Sequence, residues 1–161
     1  MTAQSSEVQG RRERNKQDKL ARITEAACRL ISERGISDVT TLQVAEAADV
    51  ATGTLFLYAK TKGELLLLAQ NAEYKNALQL GKQQSAKVTT DVVDAVVKLW
   101  RPIIDCNRDH VENGRAYLKE VVFGDSQESN HREALGLMAE TGHETSMLIS
   151  RLTGKTEIGR A

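Results

Sequence analysis

The stretch that decides the fold is Thr40–Leu65, which reads TTLQVAEAADVATGTLFLYAKTKGEL. It begins and ends with the same local pattern. Thr40 is followed three residues later by Gln43, and Thr61 is followed three residues later by Glu64. A threonine hydroxyl at a helix N-cap accepts a hydrogen bond from the third backbone N–H, and a glutamine or glutamate at that third position can return one. Each pair therefore predicts the start of a helix.

Two short helices are predicted around the middle of this stretch, over residues 41–48 and 52–58, with a break at 49–51. Helices of this length are unstable alone, so they must pack against longer neighbours. Two short helices joined by a three-residue turn are typical of a helix-turn-helix. The leading end of the second helix, Thr52-Gly53-Thr54, is small and polar. Such an end can approach the floor of a DNA groove closely.

Tyr58 and Lys62 are predicted to bind the DNA backbone. They lie four residues apart, at the end of the second short helix and the start of the next helix. A phenol and an ammonium group both bind phosphate oxygens, and the positive end of the helix dipole strengthens the attraction of Lys62 for an anion. For either residue alone, a role limited to capping and solvation is the alternative. The joined pattern of two start signals, a turn and a small-tipped helix favours DNA binding.

The same stretch resembles the DNA-binding core of TetR-family transcriptional regulators, and the resemblance extends without gaps back to about Lys19. In that family the second short helix enters the major groove, and the lysine that matches Lys62 clamps a phosphate. The resemblance implies phosphate contacts at the flanks of the two short helices and base contacts between them. The residues that we expect to contact DNA are Thr41, Thr52, Gly53, Thr54, Leu57, Tyr58 and Lys62.

Four residues depart from the usual pattern of that family. Asp49 stands where a turn glycine is usual, which is tolerable because Asp can adopt a left-handed backbone. Ala51 replaces a frequent serine and removes an N-cap oxygen, which costs about 1 kcal/mol. Phe56 replaces a tyrosine and cannot donate to phosphate, and Ala59 replaces an aromatic residue between the third and fourth helices. These departures leave individual base contacts unassigned.

Residues 1–17 are polar and predict a mobile basic N-terminal arm, ahead of a helix-turn-helix DNA-binding domain over residues 18–64. The first helix is predicted to end near Arg34, because Gly35 follows where a left-handed residue is favoured. The formal net charge of the chain is zero, yet basic residues predominate around the arm. They are Arg11, Arg12, Arg14, Lys16, Lys19 and Arg22, against Glu13 and Asp18. A solvated charged terminus is the alternative to a nucleic-acid contact here.

The pattern over residues 65–161 predicts further helices, so the expected fold class is all-α, and the TetR-family resemblance implies that these helices form a ligand-binding and dimerisation domain. The single proline, the few aromatic residues and the 3.6-residue periodicity all favour helices. The fourth helix is predicted to end near Leu80, and the next to begin at Thr89 or Thr90. Apolar and aromatic side chains beyond it are candidates for a cavity that holds a small-molecule effector, with ordinary core packing as the alternative. The candidate ligand-binding residues are Trp100, Ile103, Tyr117, Val121 and Met138.

A stripe of apolar and small residues along the last predicted helix, residues 130–152, favours close contact with another helix. Its members are Leu135, Ala139, Gly142, Ser146 and Ile149. The resemblance implies that two subunits pack here and that a further long helix usually follows. We therefore expect a homodimer and a C-terminally truncated chain.

Several other classes of protein are not expected. Cys28, Cys106 and the three histidines show no metal-ligand spacing, so we expect no metal site, and nothing indicates a cofactor. No nucleophile–base pair or carboxylate pair indicates an enzyme. No apolar run approaches the roughly 18 residues of a spanning helix, and the N-terminus is unlike a secretory signal. We expect a cytoplasmic protein without a membrane partner.

The sequence thus predicts a ligand-responsive transcriptional repressor that binds a palindromic double-stranded DNA operator as a homodimer and is released by a small molecule. The alternative is an all-α small-molecule-binding or interaction protein that does not bind DNA. Salt-sensitive binding to DNA separates the two hypotheses.

Overall fold

A computed structural model describes residues 3–108 and 110–154, and within them the chain forms seven α-helices, a short 3₁₀ turn and no strand. The expected all-α fold is confirmed. The elements in chain order are α1 (Ala3–Arg34), the 3₁₀ turn (Ile36–Asp38), α2 (Thr41–Ala47), α3 (Thr52–Leu55), α4 (Lys62–Ala86), α5 (Val92–Arg108), α6 (Val111–Phe123) and α7 (Ser129–Thr153).

The capping box predicted at the start of α2 is complete. The Gln43 N–H donates to the Thr40 hydroxyl oxygen at 3.2 Å, and the Thr40 N–H donates to the Gln43 side-chain oxygen at 3.0 Å. Val39 and Val44 on either side are both buried. This combination satisfies two otherwise free N–H groups and fixes the path of the entering chain.

The turn between α2 and α3 forms as the sequence predicts. Asp49 has a φ of 52°, in the left-handed region, and Ala51 is the N-cap of α3 without a side-chain hydrogen bond. The regular part of α3 is shorter than predicted. The next N–H groups, those of Leu57 and Tyr58, bond to carbonyls three residues back, which tightens the chain into a turn.

The N-terminal segment differs from the prediction of a mobile arm over residues 1–17, because α1 already begins at Ala3. Alanine, arginine, lysine, glutamate and glutamine are good helix formers and dominate this segment, and no proline interrupts it. Residues 1 and 2 lie outside the described residues. Residues 11–21 are exposed, so the basic part of α1 is a solvated helical surface.

Helix α4 continues past its predicted end near Leu80 as far as Ala86. Gly81 permits this because α4 and α5 approach closely there: a Cβ atom at Gly81 would lie 2.2 Å from the Leu99 carbonyl oxygen. The start of α5 is also later than the predicted Thr89 or Thr90. The Asp91 carboxylate accepts hydrogen bonds from the N–H groups of residues 93 and 94, at 2.9 and 3.1 Å, and so caps this helix.

One contiguous apolar core joins α1 to α7, with α4 at its centre. Four consecutive leucines of α4, residues 65–68, are all buried. Full burial of one such side chain stabilises the fold by about 1.5–3 kcal/mol. The predicted domain boundary between residues 64 and 65 therefore falls inside α4, which packs against both the N-terminal and the C-terminal helices.

Candidate nucleic-acid interface

Helix α3 buries one side and presents the other to solvent. Leu55 is fully buried and anchors the helix, whereas Leu57 is 81% exposed. Thr52 and Thr54 are half-buried, and a Cβ atom added at Gly53 would meet nothing within 4 Å. The four predicted DNA-contacting residues of this segment therefore all reach the surface, with open space around the helix tip.

Tyr58 and Lys62, which we call the clamp pair, both donate hydrogen bonds to main-chain carbonyls at the surface. The Tyr58 hydroxyl donates to the Lys16 carbonyl of α1 at 3.1 Å, and the Lys62 ammonium donates to the Ser37 carbonyl of the 3₁₀ turn at 2.8 Å. Both bonds are exposed. Water or a phosphate oxygen can therefore replace either carbonyl at small net cost. The remaining predicted contact, Thr41, is half-buried in the first turn of α2.

The exposed basic surface of α1 lies next to the clamp pair, because the Tyr58 hydroxyl touches the Lys16 carbonyl. Arg22, at the C-terminal end of this surface, pairs with two carboxylates. Its guanidinium lies 3.4 Å from the Asp18 carboxylate and 3.6 Å from the Asp49 carboxylate. The basic charge available to an anion is therefore concentrated toward the N-terminal side of Arg22.

The segment over residues 58–64, between α3 and the first turn of α4, is called the α3–α4 corner below. Its two lysines differ in their charge partners. Lys60 forms an ion pair with Glu128 at 2.7 Å, and the hydrogen bond and charge of Glu128 raise the pKa of Lys60. Lys62 forms no ion pair within the part of the chain that the structure describes. Its ammonium group therefore keeps its charge available for an anion outside the protein.

The capping box predicted at α4 is only half formed, so that prediction is wrong for its glutamate. The Thr61 hydroxyl accepts from the Glu64 N–H at 3.0 Å, as predicted. The Glu64 carboxylate, however, accepts from the Asn130 side chain of α7 at 2.8 Å. Glu64 is only 7% exposed. Burial raises the pKa of its carboxyl, and the hydrogen bond from Asn130 opposes that shift.

Asn130 starts a line of buried and part-buried hydrogen bonds that runs from Tyr58 to α6. Its side-chain amide donates to the Tyr58 carbonyl at 2.8 Å, and its own carbonyl accepts from the Asn71 side chain at 2.8 Å. The Asn71 side-chain oxygen accepts in turn from the Tyr117 hydroxyl at 3.0 Å. Burial raises the pKa of Tyr117, which keeps its hydroxyl a donor at neutral pH. The line connects α6 to the main chain of the clamp pair.

A third buried asparagine, Asn113, joins α6 to the other end of the helix-turn-helix. The Asn113 amide donates to the Ile31 carbonyl in the last turn of α1 at 3.0 Å, and its oxygen accepts from the Ile36 N–H at 2.8 Å. The Ile31 carbonyl also accepts from the Gly35 N–H at 2.9 Å, so Asn113 adds a second bond there. For the Ile36 N–H, which follows the end of α1, Asn113 supplies the acceptor. Next to it, the Ser37 hydroxyl donates to Glu112, also of α6.

The predicted ligand-binding residues lie in or against the core of the C-terminal helices. Three are buried and two are partly buried: Ile103, Tyr117 and Val121, then Trp100 and Met138. The Trp100 indole N–H donates to the Thr145 hydroxyl of α7 at 3.0 Å. Trp100 also lines an open groove of about 390 Å³ on α5. The assignment of these five residues to a ligand stays a prediction.

The stripe predicted on the last helix remains on the surface of α7. Leu135 is 44% exposed, and Ala139, Gly142 and Ser146 are exposed, while Ile149 is half-buried. A Cβ atom at Gly142 would meet nothing within 4 Å. The contact between subunits stays a prediction, and the surface that it requires is accessible.

Two other kinds of feature are absent from the described residues. None of the helices in residues 3–108 and 110–154 combines the length and the apolar character required to span a bilayer. Nor do these residues bring three or more histidine, cysteine or acidic side chains together in a group suited to a metal ion.

Sequence reasoning missed the three buried asparagines, 71, 113 and 130. For Asn71 a signal was present, because it lies on the same helical face as Leu67 and Tyr74, and all three are buried. A polar residue inside an apolar stripe indicates a buried hydrogen-bond partner. For the other two, which lie in the first turn of a helix, the sequence pattern contains no signal of a distant partner.

Residues 23–69 match the family described as bacterial regulatory proteins, tetR family. This match covers α2, α3 and the parts of α1 and α4 that pack against them. No curated protein matches the chain in sequence.

Solved structures are similar over more of the chain. A TetR family transcription regulator from Marinobacter aquaeolei VT8 is 16% identical, with a TM-score of 0.54 over 89% of this chain and 70% of that one. PfmR, a TetR family transcriptional regulator from Thermus thermophilus, is also 16% identical, with a TM-score of 0.55 over 85% of this chain and 75% of that one. Residues 23–69 thus carry the match to the tetR family of bacterial regulatory proteins, and the chain shares its overall fold with solved regulators of that family.

Proposed function

We propose that the protein is a transcriptional repressor of the TetR family, which binds a palindromic DNA operator as a homodimer and leaves it when a small molecule binds. The geometry of the α3–α4 corner is the observation that supports DNA binding. There the exposed side of α3 lies beside the clamp pair, whose donors are at the surface. Phosphate contacts of this kind fix the register of a protein on a duplex.

Helix α3 enters the major groove in this proposal. Its small leading residues, 52–54, allow the main chain to come close to base edges. Leu57 is exposed enough to contact the methyl group of a thymine, which is the apolar feature of that groove. The clamp pair then holds the phosphates at the groove edge.

The basic part of α1 adds further phosphate contacts. It lies next to Tyr58 and is exposed over residues 11–21. Each lysine or arginine that neutralises a phosphate releases counterions, so these contacts raise affinity for any sequence and make it strongly salt-dependent.

Dimerisation uses the exposed stripe of α7, from Leu135 to Ile149. Small residues there allow two helices to approach closely. A two-fold dimer places its two α3 helices in successive major grooves, about 34 Å apart or a multiple of that, which requires a near-palindromic site. The effector binds among the C-terminal helices and shifts α4, whose first turn carries Lys62.

Fluorescence anisotropy tests this function. Labelled fragments of the DNA around the protein's own gene are titrated beside a random-sequence duplex of equal length, at two salt concentrations. We expect salt-sensitive binding to both, and at least about 10³-fold tighter binding to an operator fragment. Absence of binding to every duplex at low salt would contradict the proposal and favour a helical small-molecule-binding or interaction protein.

A further inference from the structure

The α3–α4 corner is held from inside the protein by a buried side chain of α7. Asn130 is 5% exposed, and both hydrogens of its amide are used. One binds the Tyr58 carbonyl at 2.8 Å, and the other binds the Glu64 carboxylate at 2.8 Å. A primary amide offers two N–H donors, so this corner uses both side-chain donors of Asn130.

These two bonds act on the main chain next to each member of the clamp pair. The Tyr58 carbonyl belongs to the main chain of one member, and Glu64 lies in the same first turn of α4 as Lys62. The side-chain bonds of the clamp pair itself are exposed and easily exchanged. The bond of Asn130 to the Glu64 carboxylate is buried and its bond to the Tyr58 carbonyl is part-buried. Breaking them leaves a carboxylate and a carbonyl that water reaches poorly, which costs more than an exposed exchange.

We propose that Asn130 is a positioning residue for DNA binding, which sets the spacing between the Tyr58 phenol and the Lys62 ammonium. The inference rests on the proposed function and deepens it, because it names the residue through which α7 acts on the clamp pair. A displacement of the first turn of α7 then changes the grip on phosphate through these two bonds, one of which acts on the first turn of α4.

The test compares Asn130→Ala with Thr141→Val. Thr141 is also fully buried in α7, but its hydroxyl bonds to Tyr74 and Leu137, away from the corner. Both variants lose buried hydrogen bonds, and only the first touches the clamp pair. The probe is a fluorescein-labelled random-sequence duplex of about 30 base pairs at low salt, long enough for two successive major grooves. The temperature is one at which circular dichroism shows both variants folded.

We expect Asn130→Ala to bind this duplex about tenfold more weakly than the natural protein, and Thr141→Val to bind within about twofold of it. The salt slope of Asn130→Ala should be shallower by about one phosphate contact, a change that lower stability alone does not produce. Equal affinity and equal salt slope for the two variants would overturn the inference.

If Asn130→Ala does not fold, two variants that change charge at the same contact provide the test. Asn130→Asp sets a second carboxylate against Glu64 and should weaken binding, because the corner opens. Adding Glu64→Gln supplies an amide that donates to the new carboxylate, so affinity should partly return. No recovery in the double variant would overturn the inference. Failure of the natural protein to bind the duplex would instead overturn the proposed function itself.

Discussion

The N-termini of α2 and α4 begin with the same sequence pattern and complete it in different ways. At α2, Thr40 and Gln43 exchange both hydrogen bonds within one turn. At α4, the Thr61 hydroxyl still caps the helix, but the Glu64 carboxylate binds a residue of α7 instead. The comparison teaches that a local pattern determines where a helix begins, whereas tertiary packing determines which partner a buried side chain takes.

The largest expected change in stability comes from a hydrogen-bond partner that is distant in the chain, Asn113 of α6, at the other end of the helix-turn-helix. Asn113→Ala leaves the buried Ile36 N–H without a partner. We expect the free energy of unfolding to fall by about 2–3 kcal/mol, as measured by urea denaturation. The exposed Asn76 of α4 provides the control. A loss no larger than that of Asn76→Ala would show that the distant bonds add little.

A smaller effect is expected from the local box at α2. Thr40→Ala removes the hydroxyl that accepts from the Gln43 N–H, and the free energy of unfolding should fall by about 1 kcal/mol, within a range of about 0.5–2 kcal/mol. Thr40→Ser keeps an acceptor oxygen and should stay within about 0.5 kcal/mol of the natural protein. If serine and alanine proved equally destabilising, the loss would come from packing and not from capping.

The smallest effect is a pH dependence at Glu64. Burial raises the pKa of its carboxyl above the ordinary 4.5. A raised pKa in the folded state means that the natural protein loses stability as pH rises from about the ordinary value through the folded value, and that the penalty is constant above it.

Glu64→Gln removes this ionisation and keeps an oxygen that can accept from Asn130. Its stability relative to the natural protein should therefore increase with pH across that window. Urea denaturation at several pH values from about 4.5 to about 7 measures the difference. A stability difference that stays constant over this range would contradict a raised pKa at Glu64.

Much of the fold was predictable because its signals are local. Thr40, Gly35 and Asp49 act through main-chain groups within a few residues of themselves, so the pattern alone locates the end of α1, the start of α2 and the turn before α3. The predictions for residues 3–17 and for the end of α4 were wrong for one reason. In both places polarity favours a loop, although most of the residues concerned are good helix formers.

The exposed residues of the candidate site were predictable, whereas the buried side chains that support them were not. The exposed residues of α3 and the clamp pair follow from the pattern and the family resemblance. The supports of the corner do not, because Asn130 and Tyr58 are 72 residues apart in the chain, and Asn113 and Ile31 are 82 apart. A spacing rule that describes single helices contains no information about such pairs.

The central claim is that Lys62 grips DNA phosphate, and one salt titration tests it most directly. The affinity of the random-sequence duplex is measured against salt concentration for the natural protein, Lys62→Ala and Lys98→Ala. Both substitutions remove one positive charge, but Lys98 pairs with Asp94 on the exposed side of α5. We predict weaker binding and a salt slope lower by about 0.9 for Lys62→Ala, and an unchanged slope for Lys98→Ala. Identical slopes for the two variants would contradict the claim.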